Sequence, residues 1–428
     1  LVEKTQDSIF GTDYLQARTD SIQQAGSVAL DDIDVSDGYL FRNDSVGAYF
    51  ARLRAEAPVH YCSSSRFGPY WSITRYQDIK QVELNHQVFS SDQRHGGITL
   101  ASPMSSIQLA SFIAMDPPEH DAQRKTVKSV GMPSSLANLE PLIRQRVCTL
   151  LDSLPVDEEF DWVEQVSVNL TTQMLATLFD FPFEERSKLT WWSDIATGHP
   201  KDDGPVTSAE MQAQELDECF RYFRKLWDVR KAQPPQGDLI SMMAHSEATQ
   251  GMSDAEFGGN LLLLIVGGND TTRNSMSGGV LALNEHPEQY QKLKQNPSLV
   301  KSLVPEIIRW QTPLAHMART ALEDIEFGGQ AIRRGDRVAL WYLSANRDDD
   351  VIDRADEFIV DRDNPRRHLS FGYGIHHCMG SMLAELQLQI LWEELLPRFE
   401  WITVTGQPQR TLSNFVHGFT RLPVTLRK

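Results

Sequence analysis

The sequence predicts a mainly α protein, one large helical domain with a minor β-rich portion. Two observations carry this. Apolar residues recur at helical spacing from Glu119 to about Leu314, while strand-like alternation is confined to short runs on either side. The breaker clusters, Pro200–Pro205 and Pro234-Pro235-Gln236-Gly237, sit between strong helical patterns and read as loops rather than domain linkers.

Residues 1–38 are expected to form a polar leader, with Asp31-Asp32-Ile33-Asp34 as a solvated approach, and 39–428 a single domain. A strand is expected over Tyr70–Thr74 and a helix over Tyr76–Leu84. Short strands return around Ala331–Val338, interrupted by a Gly335-Asp336 turn, and at Trp401–Val404 and Leu422–Leu426.

Composition narrows the function. Lys plus Arg number 41 and Asp plus Glu 58, a net charge of −17 that argues against a general nucleic-acid binder. The four cysteines form no CxxC pair, so a disulfide framework and a plain structural zinc site are excluded. Cys62, Cys148 and Cys219 read as buried bystanders in a reducing compartment. The strongest apolar run, Leu261–Val266, is far short of the ~20 residues that span a bilayer. Residues 1–30 lack the apolar core of a signal peptide. A cytoplasmic protein is expected.

The segment Phe371-Gly372-Tyr373-Gly374-Ile375-His376-His377-Cys378-Met379-Gly380 holds three glycines in nine residues and is followed by a helical pattern at Leu383, Leu386, Ile390 and Leu391. A glycine-permitted turn therefore delivers Cys378 to a helix N-terminus, where free N–H groups favour thiolate. A buried structural cysteine is the plain alternative; the sharper reading is an axial thiolate on haem iron.

The pattern Phe-Gly-x-Gly-x-His-x-Cys-x-Gly resembles the haem-ligating loop of the cytochrome P-450 family, matching at all six positions. Three further segments resemble family motifs in order. Glu306-x-x-Arg309 lies about seventy residues upstream, and Arg362 matches its third, structural member. Gly267-Gly268-Asn269-Asp270-Thr271-Thr272 interrupts the most apolar helix, Leu261 to Leu283, at a cost of ~1 kcal/mol per glycine. It resembles the distal helix, whose glycines, Gly268 among them, pass close over the haem, and whose acid–alcohol pair, here Asp270 and Thr271, relays protons. Met115-Asp116-Pro117-Pro118-Glu119-His120 resembles the propionate-holding helix; the likeness implies propionate contacts for His120, Arg124, Arg319 and His376, with Phe371 also on the cofactor.

The resemblance, from about Tyr39 to Leu426, implies the family fold, with the haem between the distal helix and the cysteine-loop helix. It implies haem b held through Cys378, dioxygen as oxidant, and electrons from NAD(P)H through a ferredoxin reductase and a ferredoxin. Lys125, Lys128, Arg366 and Arg367 are candidates for docking that acidic partner. By carry-over the substrate cavity is lined by Ile98, Leu100, Leu263, Val266, Gly267, Leu314, Ala315, Met317, Phe415 and Val416, with Ile107 and Phe112 on a capping loop spanning Gly97–Met115. Segments 267–278 and 309–317 resemble the bacterial branch that hydroxylates the terminal carbon of alkanes and fatty acids. His377, where many members carry arginine, is a departure. Rival readings keep the class but change the substrate to a terpenoid or polyketide, dispense with the reductase as a peroxygenase, or make the protein a haem-binding sensor or carrier.

Overall fold

The computed structural model describes residues 11–100, 110–198 and 205–428. Its axis is the helix Asp254–Glu285, closed at its start by a reciprocal cap between Ser253 and Glu256. The C-terminal half of this helix packs on the helices Val300–Gln311 and Asn169–Leu178, and the cysteine-loop helix Ser381–Arg398 packs in turn on Pro133–Ser153. The N-terminal half is covered by Ser187–Thr197 and Ala209–Lys231, with Leu261 and Ile265 buried against Phe179, Trp192, Phe223 and Trp227. The predicted mainly α architecture, one large helical domain with a minor β portion, is the one observed.

The β portion is peripheral. Five strands run in the order Val59–Cys62, Tyr70–Ile73, Arg337–Leu340, Met317–Ala321 and Phe89–Ser90. Only the pair Tyr70–Ile73 and Arg337–Leu340 is parallel, in register Trp71 with Val338. A three-stranded sheet sets Pro423–Arg427 between Glu159–Asp161 and Trp401–Val404. The expected helix Tyr76–Leu84 is present, and the Gly335-Asp336 turn separates Gln330–Ile332 from Arg337–Leu340.

The expected solvated leader differs. Residues Thr12–Ser27 form a helix packed on Val46–Glu56, with Arg52 donating to the Ala25 carbonyl at 2.9 Å. Ile33 and Val35 are fully buried, and the Tyr70 hydroxyl donates to Asp34 at 2.8 Å. Acidic neighbours masked a two-residue alternation that seats this stretch against the sheet. Of the bystander cysteines, Cys62 and Cys219 are buried and Cys148 is half-buried. Among the described residues no helix is long and apolar enough to cross a membrane.

Behind the cysteine loop, the carboxylate of Glu306 is shared. Arg309 grips it through two nitrogens at 2.7 Å, and Arg362 Nε adds a third bond at 2.9 Å. All three side chains are buried. Burial pushes the Glu306 carboxyl up, but the two guanidiniums prevail and hold it below the usual range. Glu306→Gln leaves two buried cations without their anion, so it is expected to cost about 3–5 kcal/mol, read as a lower urea midpoint.

Burial depresses several histidines, most plainly His316 and His417, to about 4, and His368, to about 3. Each binds its proton more readily in the unfolded chain, so the stability it supports is whole above pH 6.5 and lost as the pH falls, at about 1.4 kcal/mol per unit. Glu285, raised to about 7 mainly by burial, opposes one of them between pH 7 and 4.5. Urea unfolding is expected to show stability falling as the pH drops from 6.5 to 5, the histidines outweighing Glu285. His417→Gln flattens that slope by about 1.4 kcal/mol per pH unit.

Candidate active site

Three elements converge on Cys378. The loop reaches it through Gly372 and Gly374, at φ +66° and +65°, a backbone that side-chain-bearing residues adopt only with strain. A Cβ on Gly374 would also lie 2.7 Å from the Glu83 carbonyl, so the loop rests directly on the helix Tyr76–Leu84. The loop closes on itself, the Cys378 N–H donating to the Phe371 carbonyl at 2.8 Å. Phe371 is half-buried, 6.2 Å from the His377 ring.

Burial pushes the Cys378 thiol up; the backbone N–H groups of Gly380 and Ser381, at the helix start, and Arg124 pull it back. The residue is nonetheless accessible. A desolvated yet accessible sulfur is what an interior cleft produces. Arg124 donates to the His377 carbonyl.

His120 and His376 meet edge to face with ring centroids 4.4 Å apart. Burial lowers the pKa of both rings, with Arg319 and His120 adding to the effect at His376. His120 Nδ1 bonds Asp121 at 2.8 Å, but its Nε2 and both nitrogens of His376 are buried without a protein partner. Arg319 is placed differently: its guanidinium pairs with Glu83 at 2.8 Å and with the Ala318 carbonyl at 2.8 Å. Glu83 in turn accepts from the Tyr342 hydroxyl. Sequence reasoning missed Glu83. Its signal was an acid four residues after Ile79, on the apolar face of a short amphipathic helix.

On the long helix, Gly267 is exposed and Leu263, Leu264, Val266, Gly268 and Thr271 are half-buried, while the other residues from Leu261 to Thr272 are buried. Gly267 is exposed and a Cβ there would touch nothing within 4 Å, whereas a Cβ on Gly268 would lie 2.7 Å from Leu175 Cδ2. The glycine that opens the cleft is therefore Gly267, and Gly268 lets the helix approach Asn169–Leu178. Thr271 donates to the Gly267 carbonyl at 3.1 Å. Asp270 diverges from it. It is fully buried, its Oδ1 taking Ser193 at 3.1 Å and Arg273 at 3.0 Å, and Arg273 also holds Asp194 at 2.8 Å. Asp270 Oδ2 has no partner.

Ile98, Leu314 and Phe415 are half-buried around the cluster that contains Met317. Leu100 and Ala315 belong instead to the core with Phe41, Phe50 and Trp341, so the expectation that they line the cavity is not met; alternation along the chain turns them to the other side. Val416 is buried and bridges Leu314. Phe112 is buried, its N–H held by Asn260 Oδ1 at 2.8 Å. Ile107 lies outside the described residues.

The sequence model described as Cytochrome P450 matches residues 201–427. Linalool 8-monooxygenase of Pseudomonas putida is 37% identical over 388 residues, 88% of this chain and 94% of its own. The chain belongs to the cytochrome P450 family. A methyl-branched lipid omega-hydroxylase of Mycobacterium tuberculosis (strain ATCC 25618 / H37Rv) is 32% identical over 93% of this chain and 92% of its own. The structure of CYP153D17 from Sphingomonas sp. PAMC 26605 superposes at TM-score 0.87 with 49% identity, covering 94% of this chain and all of that one. This P450 is accordingly a monooxygenase and an oxidoreductase. A haem-thiolate group fits the residues present. The accessible Cys378 sulfur, the open Gly267–Thr271 stripe and three unpartnered imidazole nitrogens are the features such a group would engage.

The two glycines separate experimentally. Gly267→Ala is expected to keep or raise stability by up to about 1 kcal/mol while weakening substrate binding. Gly268→Ala is expected to lose about 1–3 kcal/mol through contact with Leu175. Thermal unfolding and substrate titration of both variants check this.

Proposed function

We propose that this P450 hydroxylates medium-chain linear alkanes or fatty acids at the terminal carbon. The observation that carries the reading is that Ile98, Leu314 and Phe415, half-buried around Met317, and Leu263, Val266 and Gly267 of the long helix are all apolar, a lining that would offer a hydrocarbon chain no charged partner. Further support comes from the resemblance of segments 267–278 and 309–317 to the alkane and fatty-acid branch, and from the relative named as a lipid omega-hydroxylase.

In this reading Cys378 binds haem iron, and His120, Arg124 and His376 meet its propionates, with Arg319 behind them on Glu83. Haem with an anionic sulfur ligand favours heterolytic cleavage of dioxygen, putting one oxygen atom into a C–H bond and releasing the other as water. The chain's own part is to hold the substrate and deliver protons. Thr271 Oγ1 is the hydroxyl on the open stripe, and Asp270, with Oδ2 unpaired, is the acid beside it. Two electrons come from NAD(P)H through a ferredoxin reductase and a ferredoxin in the cytoplasm. Lys125, Lys128 and Arg367 are exposed and suit an acidic partner, while Arg366 is engaged by Glu385 at 2.7 Å.

The similarity to linalool 8-monooxygenase favours a second reading, a terpenoid substrate. Product regiochemistry decides. With a surrogate ferredoxin system and NADH, linear alkanes and fatty acids are expected to give mainly terminal alcohols. Mainly subterminal product removes the terminal assignment. No linear product, with a monoterpene oxidised instead, establishes the second reading.

A further inference from the structure

Three separate stretches of chain, residues 98–100, 313–318 and 413–417, carry the apolar residues Ile98, Leu314, Met317 and Phe415 that the proposed reading sets along the substrate. Main-chain bonds join them in pairs. The Ala318 N–H donates to the Ile98 carbonyl at 2.6 Å and the Ala315 N–H to the Phe415 carbonyl at 2.8 Å. One side chain reaches across to both outer stretches. His316 accepts from the Leu100 N–H at Nε2, 3.3 Å away, and its Nδ1 bonds the Asn414 carbonyl at 3.0 Å. The Asn414 side chain continues the tie to the Ser36 carbonyl at 3.0 Å.

These partners settle the protonation. A carbonyl can only accept, so Nδ1 carries the proton; a backbone N–H can only donate, so Nε2 is bare. The ring is neutral with one donor and one acceptor, both used. Burial favours this state, and the ring lies between Trp341, at 4.7 Å, and Phe415, at 5.6 Å. A wholly buried polar ring is costly unless both nitrogens are bonded, and an apolar ring would fill the same space without that demand. His316 therefore holds the three stretches in one register.

We infer that His316 is a positioning residue that fixes the cavity wall and thereby sets which carbon of a bound substrate is hydroxylated. This rests on the proposed alkyl-chain reading, which makes regiochemistry the sensitive quantity: a shift of one carbon along a chain is only about 1.3 Å, so a wall that yields slightly admits the neighbouring carbon.

The test uses the full-length holoenzyme and two variants. His316→Phe keeps a ring between Trp341 and Phe415 but strands the Leu100 N–H and the Asn414 carbonyl. His316→Gln restores one donor and one acceptor at similar separation. Hydrogen exchange is expected to quicken together at 98–100 and 413–417 in the Phe variant. The terminal-to-subterminal product ratio from dodecanoic acid is expected to fall at least about fivefold, and the Gln variant to return within about twofold of the parent. Unchanged exchange at either stretch overturns the inference whatever the substrate. So does a Phe variant that unfolds at lower temperature yet keeps the parental product ratio, since that is a purely structural role. If the parent oxidises a monoterpene alcohol and no linear chain, the alkyl reading fails by itself, and His316 is then judged by the same fivefold criterion on the monoterpene's isomer ratio.

Discussion

One buried carboxylate sets the position of the sulfur. Glu306 is gripped by Arg309 and Arg362, and the guanidiniums' remaining N–H groups are spent on backbone carbonyls: Arg309 on Asn346, Ala355 and Glu357, Arg362 on Asp353, Arg354 and Glu357. This converts an irregular stretch, with little regular structure of its own after Ala345, into a fixed surface. Asn346 passes the order on. Its side chain takes the Leu369 N–H at 2.7 Å and donates to Ser370 Oγ at 2.8 Å, and Ser370 donates to the Ile308 carbonyl at 2.8 Å. The next residue is Phe371, whose carbonyl receives the Cys378 N–H. A buried ion pair seldom adds net stability over an apolar replacement. Here its directional bonds do what apolar packing cannot, locating a loop in three dimensions.

A similar device stands on the other side of the loop. Glu83 neutralises Arg319 and accepts from Tyr342, and the backbone of Glu83 is the floor under Gly374. His120 and His376, depressed by burial, add no charge of their own at neutral pH. Arg124 is a cation that pulls the Cys378 thiol back down against burial. The site thus places few net charges in a desolvated space, where each unpaired one would be expensive.

Much of this was legible in the sequence because the informative spacings are short and local. The turn into Cys378, the Glu306–Arg309 pair, the helix Tyr76–Leu84 and the strand–turn–strand around Gly335 each depend on residues within one or two turns of each other. What the sequence did not disclose was direction. Successive helix residues differ by about 100°, so Gly267 and Gly268 read alike, yet one faces the cleft and the other Leu175. The same ambiguity hid the divergence of Asp270 from Thr271. In extended chain, a one-residue alternation sends Leu314 and Ala315 to opposite sides. Glu83 and His316 were overlooked for a different reason: Arg319 lies 236 residues from Glu83, and Leu100 and Asn414 lie 216 and 98 residues from His316, so a lone acid or histidine on an apolar face carries no local mark of them.

The divergence along the long helix has a consequence for the proposed relay. A carboxylate standing in an apolar cavity would either repel a hydrocarbon or be neutralised by desolvation. Asp270 is turned away from the stripe toward Ser193 and Arg273, which also pairs with Asp194. The Asp270 Oδ1 is engaged by Ser193 and Arg273, and its Oδ2 has no partner. Thr271, one residue on, contributes to the open stripe only a hydroxyl and a methyl, a surface an alkyl chain tolerates. The carboxyl and the alkyl-compatible hydroxyl are thereby assigned to adjacent residues on different faces of one helix, and at Gly267, between Val266 and Gly268, a Cβ would meet nothing within 4 Å.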